Sequence, residues 1–166
     1  AVIWDKVKEM CNLTKVLEKM PEVNFYWAGD GPHRDKILTV LKKYDNFHWL
    51  GPLNYPAGIR KFLTEIDVCV LMSGLDMLPR TIQEAQAMKK PIIATNVGGI
   101  SELIENGENG FLIEKNSPND FVDKAELILN DNKIMKKIGN AGYESVKEKF
   151  DWQKITLNFK EYLRKI

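Results

Sequence analysis

The chain has 166 residues, a length that suits one domain with a real core. Hydrophobic residues make up 44% and charged residues 28%, with a net charge of +1, so no strong pull toward nucleic acid or anionic lipid is expected. No apolar run approaches the ~20 residues of a membrane span, and no signal peptide is visible.

The first residues, Val2-Ile3-Trp4, read as the end of a strand. The chain opens with no methionine, almost in mid-strand, and reads as a piece of a larger protein. Asp5 to Lys19 reads as a helix with Val7, Met10, Leu13 and Leu17 on one face, ended by Pro21. Asn24 to Ala28 is strand-like and aromatic. It runs into Gly29-Asp30-Gly31-Pro32. Ile37, Leu38 and Leu41 mark the next helix. Asn46 to Leu50 is a strand closed by Gly51-Pro52, and Ala57 to Glu65 a short helix.

The five apolar residues from Val68 to Met72 suit a strand buried on both faces of a parallel sheet. Ser73 to Asp76 breaks the run. A helix carrying Ile82, Ala85 and Met88 follows, then a buried strand from Pro91 to Ala94 and a turn at Gly98-Gly99. Ile100 to Glu105 makes a short helix and Phe111 to Ile113 the last strand. Helices are expected from Pro118, from about Lys133 to Lys149, and over a closing stretch with Trp152, Ile155, Phe159, Tyr162, Leu163 and Ile166. That aromatic stripe reads first as packing, and otherwise as a surface for a neighbour domain.

Six short strands alternating with helices predict an α/β fold. It is a single Rossmann-like domain whose six-stranded parallel sheet carries helices on both faces. Such sheets bind ligands at the carboxyl ends of their strands. The loops there are Ala28–Pro32, Gly51–Tyr55, Ser73–Leu78 and Asn96–Gly99, each with a glycine that lets backbone come close to a ligand.

One helix start on this rim is unusual. If Pro79 is the first helical residue, the cap falls on Leu78, which has no side-chain oxygen. The N–H groups of Arg80 and Thr81 then lack a local partner, and such a tip attracts anions. Asp76 lies just before the tip and Glu84 eight residues after Asp76. Water capping the helix, with both acids solvated, is the plainer reading of the spacing alone.

Other chemistries find little footing. Gly29-Asp30-Gly31 lacks the third glycine of a dinucleotide fingerprint. His33 and His48 have no partner at metal-ligand spacing, and Cys11 and Cys69 stand 58 residues apart in apolar segments. Reduced core thiols in a cytosolic setting are expected, with no metal. No nucleophile elbow, phosphate loop or basic cluster occurs, so a serine hydrolase, a nucleoside triphosphatase and a nucleic-acid binder lack support.

Taken together, the motifs resemble the C-terminal, donor-binding domain of the retaining glycosyltransferases of family four, one half of the two-domain GT-B fold. The resemblance rests on Gly29 to Pro32, on Leu50-Gly51, and on the acid-x7-Glu-Ala run from Asp76 to Glu84-Ala85. It rests also on Pro91 to Thr95, Val97 to Glu102, Asn106 to Leu112 and Phe150-Asp151-Trp152. It covers nearly the whole chain in family order, and it displaces the reading in which the acids are merely solvated.

The resemblance implies a nucleotide-sugar-binding domain over residues 1–166, with the acceptor domain outside this chain. Glu84 would accept hydrogen bonds from the ribose hydroxyls, and Asp76 would meet the donor sugar as the catalytic acid position. Backbone from Met77 and Leu78 to Arg80 and Thr81 would hold the diphosphate. Backbone at Leu53 and Tyr55 would meet the base, with Gly29 and Gly31 shaping the rim. Two features depart from the family: the first acid is Asp76 rather than Glu, and no Lys-Gly pair follows the first strand, so Lys6 or Lys8 is the candidate lysine at the diphosphate. The implied reaction moves a hexose from a UDP- or GDP-type donor to a glycan or lipid-linked acceptor, without a metal cofactor. The implied setting is the cytoplasm, with peripheral attachment of the full protein at the inner membrane face. A sugar-nucleotide epimerase and a non-catalytic docking domain are the alternatives.

Overall fold

The computed structural model describes residues 6–165, and side chains from residue 10 onward. Helices and strands alternate along them through the fifth strand and three helices follow it, eight helices and five strands in all. The strand expected at Val2 to Trp4 lies outside the described residues.

The described strands form two parallel sheets rather than one of six strands. β1 (Phe25–Ala28) pairs with β2 (Phe47–Gly51), with Phe25 opposite Phe47. β3 (Cys69–Leu71), β4 (Ile92–Thr95) and β5 (Phe111–Ile113) make the second sheet in that order. The five apolar residues of the third run give only three strand residues. Val70 and Leu71 are half-buried, because β3 pairs with β4 alone among the described strands. The strand buried throughout is β4, which has neighbours on both edges.

Two apolar layers enclose the sheets. One joins α1 (Lys6–Lys19), α2 (Arg34–Leu41) and α6 (Pro118–Leu129) to both sheets through Leu17, Leu41, Phe47, Ile93, Phe111 and Phe121. The other packs α3 (Ala57–Glu65), α4 (Arg80–Ala87) and α5 (Ile100–Leu103) on the opposite face of β3 and β4 through Leu63, Cys69, Ile82, Ile92 and Ile100. Helices on both faces of parallel strands are the expected Rossmann-like arrangement.

α7 (Asn132–Phe150) lies tightly on α4 and the turn after it. A Cβ on Gly139 would stand 2.2 Å from the Lys89 carbonyl oxygen, so only glycine fits that approach. α8 (Trp152–Leu163) departs from expectation. Trp152, Leu157, Phe159, Tyr162 and Leu163 are all exposed, so the stripe buries nothing among the described residues.

Candidate functional site

The carboxyl ends of the strands bring four loops to one rim, and α4 starts there. The helix begins at Arg80, one residue later than expected. Pro79 is the cap, with the extended ψ of 119°, and Leu78 lies outside it. The chemistry of the tip is unchanged, because proline also lacks a side-chain acceptor. Ile82 N–H donates to the Pro79 carbonyl at 3.1 Å. No side chain among the described residues caps the turn, so the N–H groups of Arg80 and Thr81, both exposed residues, lack a local side-chain acceptor.

The loop before α4 is fixed from below by two devices that the sequence did not announce. Thr95, at the end of β4, is fully buried. Its hydroxyl donates to the Ser73 carbonyl at 2.6 Å and accepts from Ser73 N–H at 2.9 Å. The available signal was a hydroxyl closing a wholly apolar strand, which demands a partner once buried. The second device is Gly98-Gly99. Gly99 N–H donates to the Asp76 carbonyl at 3.0 Å. A Cβ on Gly98 would lie 1.9 Å from the Asp76 carbonyl oxygen, and one on Gly99 would lie 1.8 Å from that of Met77. The close approach expected between these glycines and a ligand is made instead with the neighbouring loop. Asp76, half-buried, also accepts from Ser73 Oγ at 3.4 Å. Met77 and Leu78 stand exposed beside it.

Three expected residues converge across the gap between the β2–α3 loop and α4. Arg80 Nη2 lies 3.3 Å from the Tyr55 hydroxyl and 3.7 Å from Glu84 Oε1, and its guanidinium carbon is 5.6 Å from the Tyr55 ring centre. Glu84 is neither buried nor fully solvated, with its side chain 31% exposed. Its charge is felt inside the fold. The Cys69 thiol is pushed up to about 12, first by burial and second by the Glu84 carboxylate. Leu53 is half-buried against Gly58, which positions the loop bearing Tyr55.

Gly29 and Gly31 sit at the end of β1, where Gly29 takes a φ of 133°. Gly29 N–H donates to the Gly51 carbonyl at 2.8 Å, and the Trp49 indole donates to the Gly29 carbonyl at 2.9 Å. Gly31 N–H donates to Asp30 at 2.7 Å, and Arg34 pairs with the same carboxylate at 3.2 Å. These bonds shape the rim at its β1–β2 end. Lys6 and Lys8 fall where side chains are not described. A concavity of about 460 Å³ runs along α3, lined by Pro56, Ala57, Arg60, Lys61, Thr64 and Glu65, and leaves Asp76 and Glu84 outside it.

The profile of the glycosyl transferases group 1 family matches residues 5–145, most of the chain and every element of this rim. The chain belongs to that family.

An uncharacterised glycosyltransferase of Methanocaldococcus jannaschii is 32% identical over 142 residues, which cover 84% of this chain and 40% of the relative. The N-acetyl-α-D-glucosaminyl L-malate synthase of Bacillus anthracis is 29% identical over 160 residues, covering 93% of this chain and 41% of that enzyme. Among solved structures, a variant of Staphylococcus aureus TarM in complex with fondaparinux, α-GlcNAc-glycerol and UDP superposes with a TM-score of 0.76 at 26% identity. That match covers 94% of this chain and 31% of TarM. The glycosyltransferase domain thus spans about two fifths of the length of the curated relatives it matches. The epimerase alternative gains no relative among these three. No described helix is long and apolar enough to cross a membrane.

Proposed function

We propose that this domain binds the nucleotide-diphosphate sugar for a retaining hexosyltransferase whose acceptor domain lies outside residues 1–166. The observation that carries the reading is the convergence of Tyr55, Arg80 and Glu84 beside an uncapped helix tip, in a chain of the glycosyltransferase family. Glu84 accepts the ribose hydroxyls, since a carboxylate offers acceptors alone and a vicinal diol offers two donors. The N–H groups of Arg80 and Thr81 take the diphosphate at the positive end of the helix dipole. The base lies toward Leu53 and Tyr55, and Asp76 faces the donor sugar.

In the reaction an acceptor oxygen replaces the phosphate oxygen on the anomeric carbon, with retention. The electron pair of the broken carbon–oxygen bond leaves on the nucleoside diphosphate, and the proton of the acceptor hydroxyl passes to that departing phosphate oxygen. No resident metal enters this reading; helix-end and side-chain charge meet the leaving group. The acceptor is a glycan or a lipid-linked glycan, reached through the rest of the full-length protein, which works in the cytoplasm or at the inner membrane face. UDP in the TarM complex favours a uridine donor for that relative and makes UDP the first probe here.

Isothermal titration of the chain with UDP, GDP and ADP tests the reading. Saturable binding of one of the three, at one site per chain, is expected. A correctly folded chain that binds none of them overturns it. In the full-length protein, a new glycoside rather than an epimerised donor is the expected product.

A further inference from the structure

In the donor-site reading only the backbone of Arg80 touches the ligand. Its side chain spans the site. The guanidinium stands between the Tyr55 hydroxyl, at 3.3 Å, and the Glu84 carboxylate, at 3.7 Å. It therefore lies against the carboxylate that the donor-site reading gives to the ribose. The side chain is 72% exposed, against 31% for Glu84. An ion pair this long and this wet is worth roughly 0–1 kcal/mol, so the guanidinium can leave Glu84 at little cost.

We propose that the Arg80 guanidinium is the counter-charge of the donor diphosphate, parked on Glu84 and Tyr55 while the site is empty and handed to the phosphates when the donor enters. The inference rests on the donor-site reading above. A helix tip supplies only about half a unit of positive charge, against about two or three negative charges on a nucleoside diphosphate. A guanidinium supplies a full charge and a planar fork of donors that fits phosphate oxygens. Arg80 is the first residue of α4, so its side chain pivots at the tip itself.

The exchange couples the two halves of the ligand. Ribose hydroxyls displace the guanidinium from Glu84, and the diphosphate receives it. A nucleoside without phosphates must strip Arg80 from Glu84 and offers it nothing in return. Removing the guanidinium should therefore act in opposite directions on the two ligands. A residue that merely props Tyr55 would act on both alike.

The test uses whichever of UDP, GDP and ADP the chain binds most tightly, together with its parent nucleoside. Calorimetry reads the diphosphate and NMR titration reads the nucleoside. In R80Q the diphosphate Kd is expected to rise about tenfold, while the nucleoside Kd stays within about twofold or falls. R80K is expected to recover part of the diphosphate affinity. Circular dichroism and melting of R80Q should match the parent, as suits an exposed side chain. Equal weakening of both ligands overturns the proposal, and so does an unchanged diphosphate Kd. A parent chain that binds none of the three diphosphates overturns the donor-site reading itself, and this proposal with it.

Discussion

Gly99 donates its N–H to the carbonyl of Asp76 at 3.0 Å, and that one bond joins the β4–α5 turn to the loop that leads into α4. The two backbones meet so closely that a Cβ on Gly99 would fall 1.8 Å from the Met77 carbonyl oxygen. The loop carrying Asp76 thus takes its position from a neighbouring turn as well as from its own sequence.

Gly99→Ala should therefore cost about 1–3 kcal/mol of stability, the range for forcing extra volume into a tight contact. Loss of nucleoside diphosphate affinity should accompany it, because the displaced segment runs into the α4 tip. Gly31→Ala is the control, since nothing lies within 4 Å of the added carbon. Urea denaturation midpoints compare the two, and equal midpoints would refute the close-contact account.

The hydroxyl of Thr95 leads to a second substitution pair. Thr95→Val leaves the buried Ser73 N–H without its acceptor, at an expected cost of about 1–3 kcal/mol. Thr95→Ser keeps the hydroxyl and should recover most of that loss. A Thr95→Val variant as stable as the parent would show that these hydrogen bonds do not hold the loop.

Glu84 should be readable through the sugar ring of the nucleotide. The parent chain is expected to bind a ribonucleoside diphosphate more tightly than its 2′,3′-dideoxy analogue. The gap should be about 1–3 kcal/mol, as for hydrogen bonds to a charged group. Glu84→Ala should erase that preference rather than abolish binding, because the diphosphate contacts remain. A preference that survives the substitution in calorimetry removes Glu84 from the ribose.

Most of the fold was legible because hydrophobic period and turn residues act locally. α3 and β5 fall where the apolar spacing and the turn signals put them, and α4 starts one residue late. The uncapped tip was legible for the same reason, since residue type defines it, whereas spacing alone left Asp76 and Glu84 as solvated acids and only the family resemblance paired them. What the sequence hid was tertiary. Gly98 and Gly99 look like ligand-facing glycines until the Asp76–Met77 backbone is seen against them. Thr95 looks like a strand terminus until Ser73 is seen beneath it. The Arg80 side chain reaches a partner 25 residues away on another loop, which no local pattern encodes. α8 has the period of a packed helix, yet what covers its stripe is not contained in the stripe.

The Cys69 thiol sets a pH dependence. Burial holds its folded pKa at about 12, above the 9.0 of the thiol in the unfolded chain. Between those values the folded chain holds a proton that the unfolded chain has lost, so stability falls as pH rises. The contribution is present in full below pH 9.0 and is lost as pH climbs toward about 12, at no more than about 1.4 kcal/mol per pH unit. Urea midpoints at a series of pH values from 8 to 11 should slope downward more steeply for the parent than for Cys69→Ala. Parallel slopes would mean the thiol does not titrate with unfolding.

Two aromatic residues of opposite burial give the last comparison. Phe121 is 1% exposed, inside the layer that joins both sheets, whereas Trp152 is 78% exposed at the start of α8. Phe121→Ala should cost about 3–5 kcal/mol, combining lost burial with the cavity left behind. Trp152→Ala removes a larger side chain but should shift stability by less than about 0.5 kcal/mol, because it vacates no core. Parent Trp152 fluorescence should be strongly quenched by acrylamide when read as the difference from Trp152→Phe. A large loss of stability in Trp152→Ala, or protection from quenching, would show that α8 packs on this domain in solution. The exposed stripe would then be part of the core after all.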